Sequence, residues 1–438
     1  MSTNDDIRIQ LNQAKVNIDA ALALLPSGAA PITIGPSDNL QSILSTAPAG
    51  SIVKMDPLFV LESDLVLVKP VTLITSIDPG SARVSSSLKG ATLRGALTST
   101  ASDVSLIGLR LEGKVSGSTI VTTSPRMVID RCVVLGSAQG QHRGIRADSD
   151  TVSITRSSIS NIWYSADSQA IAGWDGCKHL TVDDCYLEAS GENVLFGGAD
   201  SVTAAGIPQD ISINNCTMFK PLSWIGKAGL TAKNLFETKS VQRLHVTNCR
   251  MENSWVNGQT GYAMLINVRN QDGKAPWSVV EDVTIEDCTF NNTTNGIEIL
   301  GRDYTNPSGV MDRVTIRRCT FTNIGTTWSG GAAGGRQIFI TGGPRNLTLD
   351  HISFAGKIEP EGTAMSFDTP EYPLVNLRVS DCRFLEGFYG IHGTGAPSLG
   401  KAVLDLYAPG YIWQGNTIVK GTNTVQYPIA YPTGTTVI

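Results

Sequence analysis

One pattern of hydrophobic and polar positions recurs along most of this chain. A short run alternates Val, Ile or Leu with polar residues, reaches a cysteine, steps over one residue and lands on an apolar one. It reads MVIDRCVV at Cys132, LTVDDCYL at Cys185, ISINNCTM at Cys216 and LHVTNCRM at Cys249. It continues as VTIEDCTF at Cys288, VTIRRCTF at Cys319 and LRVSDCRF at Cys382. The frame returns without cysteine in VSLIGLRL at Leu109, VSITRSSI at Ser157, LTLDHISF at Ile352 and YIWQGNTI at Asn416, giving eleven rungs about 31 residues apart. Alternation with a period of two marks a strand with one buried face.

Between successive rungs lies a second strand, as in SQAIAGWD, ENVLFGG, NLFETK, YAMLINVR, NGIEILGR and RQIFIT, set off by Asn, Asp, Gly and Pro. A coil of two or three short strands with no helix between them cannot close its own core. Stacked coils bury a continuous apolar interior and pair each strand with its neighbours above and below. The pattern therefore predicts an all-β chain, a right-handed parallel β-helix solenoid of about eleven coils, on the order of 50 Å long. An antiparallel propeller or sandwich would show hairpin loops of two to five residues instead. Here the recurrence is coil-length, with inserts of uneven size.

Composition narrows the classes. Of 438 residues only 17 % are charged, the net charge is −5, and no Lys/Arg cluster suits phosphates, so nucleic acid is not an expected partner. No run approaches the length of apolar chain that crosses a bilayer, so no membrane is expected either. The first residues, MSTNDDIRIQ, are acidic and polar, the wrong start for a secretory signal. The cysteines lack C-x₂-C spacing and the five histidines form no ligand motif, so neither a metal nor a cofactor is expected. Seven of the eight cysteines fall on the rungs and should stack inside as reduced, apolar filler, while Cys177 falls outside the column, on a turn.

The coils resemble those of right-handed parallel β-helix repeat proteins of the pectate-lyase-like superfamily. The stretch DSQAIAGWDGCKHLTVDDCYLEASGENVLFGGAD (167–200) resembles uncharacterised bacterial and phage β-helix proteins of the tailspike and fibre type. So do KPLSW (220–224), KNLFETK (233–239), VRNQDGKAPWSVVEDV (268–283) and ILGRD (299–303). The resemblance covers most of 35–420. It implies the fold, and a superfamily that includes polysaccharide lyases, glycoside hydrolases and non-enzymatic phage tailspikes; it carries no catalytic residue over.

The ends differ from the repeat. Within 1–27, Ile7, Leu11, Ala14, Ile18, Ala21 and Leu25 form a heptad seam, which predicts a short N-terminal α-helix for oligomerisation or attachment. Residues 28–36 read as a linker, 37–51 as a capping helix over the open first coil, 52–420 as the β-helix and 421–438 as an extended tail that caps its own chain or reaches a neighbour.

The central coils carry the candidate chemistry. Inserts at 198–210, 269–282 and 301–312 share one register and should emerge on one side, and Trp163, Trp174, Trp224, Trp255 and Trp277 crowd the same window. Trp174, Trp224 and Trp277, with Arg302 and Asp303, are candidates to hold sugar rings. Glu237, Lys239, Arg269 and Glu298 are the catalytic candidates; Glu192 and Asp272 stand nearby. A hydrolase needs two carboxyl groups flanking the bond, for which Glu237 with Glu298 is the best pair. A lyase needs a cation for a uronate carboxylate and a base, for which Lys239 or Arg269 would serve with Arg302. The same charges on outward strand positions also suit a plain solvated face.

Two functions remain open. One is a structural or adhesion protein of a phage virion that binds cell-surface polysaccharide, a homotrimer joined to other virion proteins through its N-terminal helix. The other is a carbohydrate-active enzyme, lyase or hydrolase, on the same fold. Either would work on the virion or outside the cell.

Overall fold

The computed structural model describes residues 30–114, 116–325, 334–356, 362–421 and 429–438. Among them every pairing between strands is parallel, and the strands form three sheets. Sheet A has 14 strands, from Ile32–Ile34 to Ile412–Gln414; sheet B has 14, from Val60–Leu61 to Thr436–Val437; sheet C has 12, from Leu65–Leu67 to Ile391–Gly393. Each coil passes from A through a tight corner into B, through a loop into C, and through a second loop back to A. The result is a right-handed parallel β-helix. Fourteen strands about 4.8 Å apart make a prism about 60 Å long. The eleven rungs are the last eleven strands of sheet A, and three further strands, Ile32–Ile34, Ser51–Met55 and Val71–Thr75, precede them.

The rung motif is a corner. The residue just before each rung position is left-handed in all eleven: Gly108 and Gly415 at φ 66° and 65°, and Arg131, Arg156, Asp184, Asn215, Asn248, Asp287, Arg318, His351 and Asp381 between 48° and 56°. Asn and Asp visit this region at little cost, but Arg and His do so only when held. Arg156 Nη2 and Arg131 Nε are each 2.7 Å from Asp130, and Arg318 Nη2 is 2.8 Å from Asp287. The kink turns the next side chain inward, where most rungs place a small residue, cysteine or serine, and Leu109, Ile352 and Asn416 are the exceptions.

All eight cysteines are free and buried. Each rung thiol donates to a backbone carbonyl of the coil below, as from Cys132 Sγ to Leu106 O at 3.4 Å and from Cys382 Sγ to Leu349 O at 3.5 Å. Burial pushes both of these thiols up to about 12, so they behave as apolar filler. Cys177 lies in the turn between Gln169–Gly173 and Lys178–Asp183, also buried. Within sheet B, Phe290, Phe321 and Phe354 stack at centroid distances of 4.2 and 4.7 Å.

Both ends are covered. Helix Leu40–Thr46 is capped by Asn39, whose side chain accepts from Ser42 N at 3.0 Å, and it buries Leu40 against the first coil. Within the segment read as linker, Ile32–Ile34 is a strand paired with Val53–Met55. At the far end an unforeseen helix, Lys401–Tyr407, buries Val403, Leu404 and Tyr407. The described part of the tail packs on its own chain: Thr436–Val437 pairs with Thr417–Ile418, and Tyr431 donates to Glu386 Oε1 at 2.8 Å. The heptad seam of residues 7–25 lies outside the described residues.

Candidate functional site

Sheet C has an outward face walled on both sides. Its inward residues, such as Ile171, Val194, Phe236, Met264 and Ile297, sit in the core. One outward column runs in register through Arg146, Ala172, Leu195, Glu237, Leu265, Glu298 and Phe339. Loops entering sheet C, including 255–261, form one wall, and loops leaving it, 268–279 and 301–311, form the other. Between them is a groove of about 450 Å³, floored by Glu237, Leu265, Glu298, Lys239 and Asn267 and walled by Gln259, Arg269, Asp303 and Asn306. The leaving wall is fastened from within. Asp200 accepts from the backbone N–H groups of Asp272 and Lys274 at 3.0 and 2.8 Å, and Trp277 Nε1 donates to Ser201 at 3.0 Å.

Glu237 is 2 % exposed. Asn234 Nδ2 donates to its Oε2 at 2.7 Å, and Lys239 Nζ lies 3.7 Å from its Oε1. Burial pushes the Glu237 carboxyl up to about 8, reinforced by the buried Glu192 behind it and opposed by Lys239 and Lys233. The nearby lysines favour ionisation, but desolvation outweighs them, and Lys239 is shared with Gln271 Oε1 at 3.1 Å. Glu192 is itself held by Gln169 Nε2 at 2.7 Å and Lys233 Nζ at 3.4 Å. Burial also raises Glu298, against a bond from Asn267 Nδ2 at 3.4 Å and the charges of Arg269 and Arg336. Glu237 and Glu298 stand two strands apart on one column, about 9.5 Å between backbones.

The five candidates Glu237, Lys239, Arg269, Glu298 and Asp303 thus share one groove. Arg269 Nη1 lies 3.8 Å from Asp303 Oδ1, and Asp303 also accepts from Asn270 N at 3.0 Å. The others lie elsewhere. Arg302 donates to Gly342 O at 3.0 Å and covers the Tyr372 ring at 4.4 Å, so it is turned out of the groove. Trp224 is 6 % exposed and packs with Trp255, Leu230 and Trp163 in a separate apolar cluster that anchors the 220–232 loop. Trp277 fastens the leaving wall, and Trp174 sits farther along the sheet beneath Arg143 and Arg146. Sequence reasoning missed Asn234, Gln259 and Asn267. It also missed Phe339, an outward half-buried ring beside Glu298 with Arg336 at 5.6 Å. For Asn267 and Phe339 the signal was present in the alternation of YAMLINVR and RQIFIT, whose outward positions carry them, whereas Asn234 and Gln259 stand before their strands, where no alternation marks them.

Among the described residues, Asp350, His351 and Asp381 alone group with the spacing of metal ligands, on an exposed corner away from the groove. An apolar hollow of about 320 Å³ beside the capping helix, lined by Leu44, Val66 and Val68, holds no pair of acids. The sheet C groove, by contrast, has two carboxyls, Glu237 and Glu298, in its lining.

No known protein-family profile matches the chain, and no curated protein matches it in sequence. Solved structures do. The Dettilon tailspike protein is similar over 83% of this chain and 69% of its own, at 12% identity and a TM-score of 0.45. The PL6 family polysaccharide lyase Pedsa3628 from Pseudopedobacter saltans is similar over 93% and 91%, at 13% identity and 0.45. The tailspike protein gp49 from Pseudomonas phage LKA1 is similar over 87% and 71%, at 10% identity and 0.43. These are likenesses of architecture, and the chain's own three parallel sheets identify it as a right-handed parallel β-helix repeat protein.

Proposed function

We propose that this protein binds a polysaccharide along the outward face of sheet C and hydrolyses it in the groove, with Glu237 as general acid and Glu298 as general base. The observation that supports this reading most is Glu237: a carboxyl held protonated near neutral pH, on the floor of an open groove, with a second carboxyl on the same column. Burying an acid is costly, and a structural solenoid has no need of one here. A general acid needs its proton at working pH, which this burial provides. The two side chains leave backbones about 9.5 Å apart, and carboxyls kept at that spacing leave room for a water opposite the leaving group, the arrangement of an inverting hydrolase.

Lys239 and Arg269 also line the groove, and they would suit a lyase acting on a uronate. That reading is weakened by Arg302, the intended carboxylate clamp, which is turned to Gly342 and Tyr372. Incubation with a panel of acidic and neutral polysaccharides separates the cases. New reducing ends without unsaturated products support hydrolysis; unsaturated products support the lyase; binding without either supports adhesion alone. A virion setting and a trimer joined through the seam at residues 7–25 complete the proposal, and sedimentation of the full chain beside one lacking residues 1–27 tests the assembly. A full chain that sediments as a monomer contradicts it.

A further inference from the structure

The face of sheet C continues beyond the groove to Arg143, a cation with no ion pair among the described residues. Arg143 and Arg146 both point outward from strand Arg143–Ala147, with their guanidinium carbons 4.7 and 4.8 Å from the Trp174 ring centroid. Stacking on an indole fixes a guanidinium plane and leaves its N–H edge free to bond. The register carries Arg146 through Ala172 and Leu195 to Glu237, so the pair stands three strands, about 14 Å, from the proposed acid.

The two arginines are not equivalent. Arg146 Nε donates to Asp148 Oδ2 at 2.6 Å and is neutralised there. Arg143 has no ion pair among the described residues, and its Nε is buried without a hydrogen-bond partner. Asp167, which lies near enough to act on Arg143 through its charge, is bonded to Lys233. Beside Arg143 on the next strand is Gln169, fully buried, whose Nε2 is used by Glu192 but whose Oε1 accepts from nothing described. A half-buried cation and a buried acceptor, adjacent and both unsatisfied, cost stability unless a ligand or solvent completes them.

We infer that Arg143, oriented by Trp174 and flanked by Arg146, forms a subsite for a carboxylated sugar of the bound polysaccharide. The carboxylate takes the planar N–H edge of Arg143, the geometry in which a guanidinium is most selective. This rests on the glycan-binding reading and adds the class of glycan: an acidic one, read several sugar units from the reacting centre.

The test is affinity electrophoresis of the full chain through gels containing polygalacturonate, alginate or polysialic acid, each beside its carboxyl-reduced form, with dextran as the neutral polymer. The expected result is retardation by at least one acidic polymer, loss of it in the reduced form, and about tenfold weaker binding by Arg143→Ala. Arg143→Gln, close in size, guards against a folding defect and should weaken binding as much at an unchanged thermal midpoint. Arg143→Lys should recover only part, because it restores charge without the planar edge. Equal retardation by the reduced polymers, or acidic binding unchanged in Arg143→Gln, overturns the subsite while the groove stands. If no polymer of either kind retards the chain, the glycan reading falls and the subsite with it.

Discussion

Lys220 and Glu237, both buried near the groove, do opposite work. Lys220 Nζ donates to Ala189 O at 2.8 Å, to Gly191 O and to Asn193 Oδ1 at 3.0 Å, closing the corner where sheet B turns into sheet C. Its three donors meet three acceptors, so it is a structural clamp. Lys220→Met should destabilise the chain by roughly 3 kcal/mol, since it orphans those acceptors; denaturant unfolding measures it. Glu237 is instead a liability to folding. The folded state keeps its proton to about pH 8, whereas an unfolded chain releases it near the ordinary value of 4.5. Between those values the folded state binds more protons, so this group's contribution to stability is lost as pH rises across the window. Thermal midpoints from pH 5 to 9 should therefore fall more steeply for the unsubstituted chain than for Glu237→Gln. Parallel curves would mean that Glu237 ionises normally.

At the scale of the coil, the repeating unit is set by the left-handed residue at the corner between sheets A and B. Asn248 is such a residue, at φ 52°, with its side chain donating to Asn215 Oδ1 at 2.6 Å in the coil below. Asn248→Val should cost about 1–2 kcal/mol through backbone strain, while Asn248→Gly should cost much less, because glycine adopts this conformation freely. Equal losses would place the cost in the side-chain bond instead. The same corner explains what could be read in advance. The alternating run ending in this corner, with cysteine at seven of its inward positions, marked eleven strands of sheet A correctly. The first three strands escaped because their corners lack that pair: Met55 runs into DPLF, and Thr75 into the long 76–90 loop. Helix Lys401–Tyr407 escaped because it replaces a loop inside the last coils, where no periodicity separates it from the repeat.

For the whole molecule, the solenoid converts sequence repetition into a straight column of side chains. The pairing of Glu237 with Glu298 was legible because both fall at the outward position of corresponding strands. The roles of the tryptophans were not, since composition cannot tell a ring that fastens a loop, as Trp224 and Trp277 do, from one that faces a ligand. With the carboxyls kept at the two-strand spacing of their backbones, the first product should carry inverted anomeric configuration when followed by proton NMR, and a retained one would mean that the two side chains converge to about 5 Å.

The central claim is that Glu237 donates the proton that breaks a glycosidic bond. Its most direct test is reducing-end release from a polysaccharide that the full chain cleaves, measured beside binding of the same polymer for Glu237→Gln. Turnover should fall by about 10²- to 10⁴-fold with affinity unchanged, as expected of a group that acts only in the transition state. Turnover close to that of the unsubstituted chain would contradict the account.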